Sequence, residues 1–212
     1  MKLLTPGQFT DAISKDLAHR KRDLTNLNTV VAGCREHQLS VMSSSAVCML
    51  YAHWEGFVKY GGTCFANFVF YQGIAPEHLS NGVIASAVRD KFTELRATKK
   101  VSLCREFVAS IRHPNTGIAS LNWKQAVETY NNLKLDVLME VLALLGCDPA
   151  FYLTKKGIID DRLVRYRNSI AHTGYSDFDP SDFGVMYNDT IGLLDRFRDD
   201  LEDAVTNKTY RN

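Results

Sequence analysis

The chain has 212 residues, 45% of them hydrophobic and 23% charged, which is enough to bury a real core and within the range of one domain. Its 25 Lys plus Arg against 24 Asp plus Glu leave a formal charge of +1, which excludes a protein that coats nucleic acid by bulk attraction; any such contact must be a local patch. The five cysteines, Cys34, Cys48, Cys64, Cys104 and Cys147, are odd in number and far apart, and they form neither a CxxC pair nor a Cys/His cluster. Reduced thiols and a cytoplasmic location are expected, and without an apolar signal core or a run near the roughly 20 residues of a membrane helix, no membrane partner is expected.

In chain order, Thr5-Pro6 has the form of an N-cap and a first-turn proline. Phe9, Ile13, Leu17, Leu24, Leu27 and Val31 then recur at helical spacings, predicting a long amphipathic helix. From about Ser43 to Phe70 the chain is apolar on several sides, through Val47, Leu50, Tyr51, Trp54, Phe57, Val58, Phe65 and Phe68, which predicts a central buried helix strained at Gly61-Gly62. Pro76 opens a turn, and Val83–Leu95 and Val101–Ile111 read as shorter helices, the second ended by Pro114. Residues 86–112 hold seven Lys or Arg against three acids, a candidate patch for a polyanion or simply a solvated face.

Asn131 or Asn132 can cap a helix whose Leu135, Leu138, Leu142 and Leu145 face the core and which Gly146 stops. After a turn at Asp148-Pro149, a helix from about Ile158 to Ala171 ends near Gly174, and Asp179-Pro180 starts a last helix through about Val205. Between Asp182 and Asp203 that helix carries seven acids against two arginines, either a solvated flank or a dock for a basic partner. Nothing reads as a sheet, so the fold class is all-α, in a single all-helical domain over 1–212.

The residues that suit chemistry lie in Arg167-Asn168-Ser169-Ile170-Ala171-His172. Arginine keeps its charge at any cellular pH and histidine exchanges a proton near neutrality, a pair that suits phosphodiester chemistry without a metal or cofactor. At about 100° per residue, Asp161, Arg165, Asn168 and His172 share one stripe, with Ile159, Leu163 and Ile170 opposite. Arg167 falls at the border of the apolar half, where it needs a carboxylate, a partner subunit or a phosphate. It stands about 140° from His172 in an ideal helix. Convergence on one phosphate then requires His172 in a frayed end beside Thr173-Gly174, a second chain, or both. His19, His37, His78 and His113 lack partners at metal-ligand spacing, and Trp54 and Trp123 read as core or interface anchors.

The six-residue run resembles the R-x4-6-H signature of the HEPN superfamily of helical ribonucleases, with its frequent Asn after the arginine. The Leu133–Leu145 segment, Gly146, Asp160, Leu163-Val164, Thr173-Gly174 and the earlier Tyr51-Ala52-His53-Trp54-Glu55-Gly56-Phe57 are similar to the RiboL-PSP-HEPN branch, so the likeness covers about residues 43–205. The resemblance implies a helical bundle that dimerises through the motif-bearing helix. It also implies a metal-independent endoribonuclease leaving a 2′,3′-cyclic phosphate, used as a toxin or phage-defence effector with RNA as substrate and a cognate antitoxin or defence protein as partner. Carried over by residue, Arg167 would stabilise charge on the phosphate, Asn168 would orient it or the partner chain, and His172 would act as general base or acid. Glu55 and Lys59, four apart, form a surface ion pair, or else Glu55 lies near Arg167 and holds it, or Glu55 and Lys59 together complete the active cleft. With Arg165 and Asp161 they complete the supporting set. The competing reading is a non-catalytic helical module that binds RNA, a nucleotide or a protein. Nucleotidyl transfer is disfavoured, since no Gly-rich phosphate loop or paired-Asp metal site is visible.

Overall fold

The computed structural model describes residues 2–97, 100–112, 123 and 126–212, with the side chains of 90, 91 and 110–112 left aside. Among these residues the regular secondary structure is helical, apart from one isolated bridge between Leu79 and Arg211. Helix α1 (Pro6–Ala32) starts from a capping box: the Gln8 amide donates to the Thr5 hydroxyl at 3.2 Å, and the Thr5 amide donates to Gln8 Oε1 at 3.3 Å. Its buried Phe9, Ile13, Leu17 and Leu24 line one face. Helix α2 (Glu36–Tyr71) follows and runs for about 54 Å at 1.5 Å per residue, longer at its start than the apolar pattern predicts.

Helix α2 runs without a break through Gly61 and Gly62. A methyl at Gly61 would overlap Leu201, and one at Gly62 would lie 2.6 Å from Val127, so these residues let neighbouring elements approach the helix closely. The single turn Pro76–His78 leads to α3 (Asn81–Arg96) and α4 (Val101–Arg112), where Phe92 and Phe107 meet edge-on at 5.0 Å. These two helices carry the basic stretch; Asp90, Lys91 and Arg112 have side chains outside the described set, and Lys99, His113 and Pro114 lie outside the described residues altogether.

Helix α5 (Leu135–Leu145) stops at Gly146, whose φ of +68° is the left-handed conformation glycine adopts freely. Its start differs from expectation: neither Asn131 nor Asn132 caps it, and the Leu135 amide instead donates to Asp160 Oδ1 at 2.7 Å. After the short α6 (Ala150–Leu153) and α7 (Lys156–Ile158), the predicted continuous helix is interrupted by a π turn, Ile159–Val164, before α8 (Arg165–Thr173). Asp179 caps a turn at Pro180–Asp182, and α9 (Phe183–Thr206) closes the bundle against α1 and α2.

The core is one connected cluster in which Trp54 and Phe57 of α2 each meet Phe197 of α9 edge-on at 6.0 Å. Several acids of α9 are satisfied internally rather than merely solvated. Asp195 takes Lys21 at 2.8 Å, and Asp200 accepts from Tyr152 at 2.6 Å and pairs with Arg196 at 2.9 Å. Among the described residues no helix is long and apolar enough to cross a membrane.

Candidate functional site

The site begins with a line along α2. Cys48, Tyr51 and Glu55 are spaced three and four apart, so they share a face, and that face meets the π turn and α8. The α8 residue that crosses it is Arg167. Its guanidinium lies over the Tyr51 ring, 4.1 Å from the centroid, and 4.0 Å from a carboxylate oxygen of Glu55. Nη1 donates to Asn168 Oδ1 at 2.7 Å, and Nη2 donates to the Asn131 carbonyl. The carboxylate offered by the sequence reasoning as one partner for Arg167 is therefore Glu55, in a pair whose side chains are 20% and 17% exposed.

The turn that presents Asn131 is tied in by its neighbours. Asn168 Nδ2 donates to Asn132 Oδ1 at 3.1 Å, and the Leu133 amide donates to the Tyr51 hydroxyl at 2.7 Å. Asn131 and Asn132, expected to cap a helix, thus work on the arginine and asparagine of the motif. Burial pushes the Tyr51 phenol up, with the Leu133 amide pulling the other way, so the ring stays neutral. Burial likewise raises the Cys48 thiol, while the Arg167 charge acts to lower it. Glu55 Oε1 is buried and has no hydrogen-bond donor.

The other expected residues are dispersed. Lys59 is exposed and makes no ion pair with Glu55, which removes the simple surface-pair reading. The residues of the polar stripe do not share one set of partners. Asp161 and Arg165 line an open cleft of about 590 Å³ with Arg162 and Asp189, and Arg165 pairs with Asp177 at 3.5 Å, whereas Asn168 turns to Asn132. His172 is exposed. It lies inside α8, because the helix persists to Thr173 and ends at Gly174 with φ +70°. The Thr173 hydroxyl fixes that end by donating to the Ser169 and Tyr175 carbonyls at 2.8 and 2.9 Å. Fraying does not bring His172 to Arg167, and the regular spacing of α8 sets the two positions about 140° apart around the helix.

Sequence reasoning missed Tyr51 as the surface under Arg167, although its spacing from Glu55 was a usable signal. It also missed the 129–132 turn, which nothing in the helical periodicity marks. Among the described residues no three His, Cys, Asp or Glu side chains are grouped to hold a metal ion.

A family model described as HEPN_MAE_28990-like HEPN matches residues 9–210, nearly the whole chain. No curated protein and no solved structure matches it. The match carries the earlier resemblance at the level of the superfamily, and it covers the Arg167 cradle, the α2 line and the bundle that brings them together: the chain belongs to the HEPN family.

Proposed function

We propose that this protein is a metal-independent endoribonuclease. The observation that carries the reading is the cradled guanidinium of Arg167, fixed by Tyr51, Glu55, Asn168 and Asn131, on the same helix as a solvent-exposed histidine. A cation held in place before substrate arrives needs no reorganisation when charge develops on a phosphate, which is where electrostatic catalysis is largest. In the reaction, the ribose 2′-oxygen attacks the adjacent phosphorus and the bond to the 5′-oxygen breaks, giving a 2′,3′-cyclic phosphate and a free 5′-hydroxyl. His172 takes the proton from the 2′-hydroxyl or delivers one to the departing 5′-oxygen, and Arg167 neutralises the equatorial oxygens. DNA, lacking the 2′-hydroxyl, is spared.

Since His172 and Arg167 stand about 140° apart on α8 within one chain, the working site is formed by two copies meeting along α8, with Arg167 of one facing the same phosphate as the other copy's His172. A toxin or phage-defence role under the control of a partner protein, in the cytoplasm, fits such an activity. The test is cleavage of single-stranded RNA in EDTA. Wild type is expected to cut RNA and leave DNA whole, and His172→Ala to lose cutting by about 10²–10⁴-fold, the usual worth of a placed proton donor or acceptor. Cutting that persists in His172→Ala refutes the assignment. The engagement of Arg167 by its own chain also fits a second reading, a helical module that binds RNA or another ligand without cleaving it. There, affinity survives His172→Ala and wild type forms no product.

A further inference from the structure

The turn that holds Arg167 has an unusual backbone. Tyr130 and Asn131 both have positive φ, +52° and +54°. Asn tolerates this region, but a tyrosine there carries a cost on the order of 1–3 kcal/mol, of the kind that persists at ligand-binding sites. The Tyr130 ring does not recover that cost inside the protein. It is 69% exposed and, among the described residues, makes no hydrogen bond or ring contact. The next residue accepts a hydrogen bond from Arg167 through its carbonyl, and the residue after that accepts one from Asn168. An exposed aromatic side chain thus stands on the residue just before the one whose carbonyl holds the guanidinium.

We infer that Tyr130 is a stacking platform for an unpaired nucleobase of the RNA, next to the phosphate addressed by Arg167. The inference rests on the ribonuclease reading and narrows its substrate to single strands. A base paired in a duplex is already stacked on its neighbours and cannot lie on the ring, whereas any unpaired base can, because every base has a π-face. Aromatic face and guanidinium together match the two chemically distinct parts of a nucleotide, and stacking makes the site tolerant of sequence.

The test measures binding apart from cleavage. Fluorescence anisotropy of a labelled, 2′-O-methylated single-stranded oligonucleotide gives Kd for wild type, Tyr130→Asn and Tyr130→Trp. Asn suits the positive φ and removes the ring without disturbing the turn. Tyr130→Asn is expected to weaken binding by about 5- to 150-fold, the effect of deleting one base-stacking aromatic, with Tyr130→Trp close to wild type. An oligonucleotide without bases should bind both variants and wild type alike. Equal Kd for wild type and Tyr130→Asn overturns the inference, as does weakened self-association at unchanged RNA affinity, which would make the ring an anchor between protein copies. If wild type binds the oligonucleotide with the expected Tyr130 dependence yet never cuts a 2′-hydroxyl substrate, the ribonuclease reading falls and the stacking site stands. If wild type neither binds nor cuts, both fall.

Discussion

The contact between Glu55 and Arg167 gives the sharpest prediction, through Glu55→Gln, which keeps the volume and removes the charge. The two groups stand 4.0 Å apart with side chains 17% and 20% exposed. Two unit charges at that separation attract by about 4 kcal/mol at an effective dielectric near 20. Desolvation of both groups offsets much of this: exposed pairs contribute about 0.2–1 kcal/mol, while breaking a fully buried pair costs about 3–5. A pair buried this far falls between, and because Arg167 keeps Tyr51, Asn168 and Asn131, the expected loss is about 1–2 kcal/mol in urea unfolding. Cleavage should fall further than stability. A guanidinium released from its anchor is misplaced, and a displacement of about 1 Å costs on the order of 10²-fold in rate. Arg167→Ala should lose about 10²–10³-fold, as for removal of one preorganised donor. Since Glu55 acts through Arg167, the double variant should be no worse than Arg167→Ala alone. Full activity and unchanged stability in Glu55→Gln would remove Glu55 from the site and sink the argument that the cradle positions the cation.

Tyr51→Phe keeps the ring beneath Arg167 but strips the buried Leu133 amide of its acceptor, at an expected cost of about 1–3 kcal/mol by denaturant titration; wild-type stability would show that the bond contributes nothing. In Gly82→Ala the new methyl overlaps the Ala143 carbonyl oxygen on α5, so thermal unfolding should report a loss of about 1–3 kcal/mol, and a neutral result would mean that α3 and α5 part easily. Burial, with Arg20 nearby, holds the His53 imidazole below its ordinary value, so on acidification the unfolded chain takes up the proton first. Its contribution is complete above about pH 6.5 and is lost as pH falls below that; His53→Gln should flatten this part of the stability profile, and an unchanged slope would contradict the sign. Burial pushes the Cys147 thiol up to about 12 and the Cys64 thiol to about 11, whereas Cys104 is exposed. Iodoacetamide at mildly alkaline pH should therefore modify Cys104 first by peptide mapping, and equal rates would count against the burial of the other two.

The helices and their ends were legible in the sequence because the signals are local. Phe9, Ile13 and Leu17 repeat at helical spacing whatever packs on them, Thr5-Pro6 states a start, and Gly146 and Gly174 state stops through conformations that other residues avoid. The motif on α8 was legible too, as was the need of Arg167 for a partner. Glu55 was one of the partners the sequence offered, and tertiary structure decided that it met the need. Glu55 lies on a different helix, and its approach depends on how α2 crosses the π turn and α8, which no spacing within either segment encodes. The polar stripe is divided by what packs beside each residue: Asp161 and Arg165 line one cleft, while Asn168 on the same helix as Arg165 meets Asn132. Asn131 and Asn132 show the limit most clearly. By residue type they were fit to cap α5, yet with Asp160 taking the Leu135 amide, the same polar groups were left to satisfy Arg167 and Asn168 across the bundle.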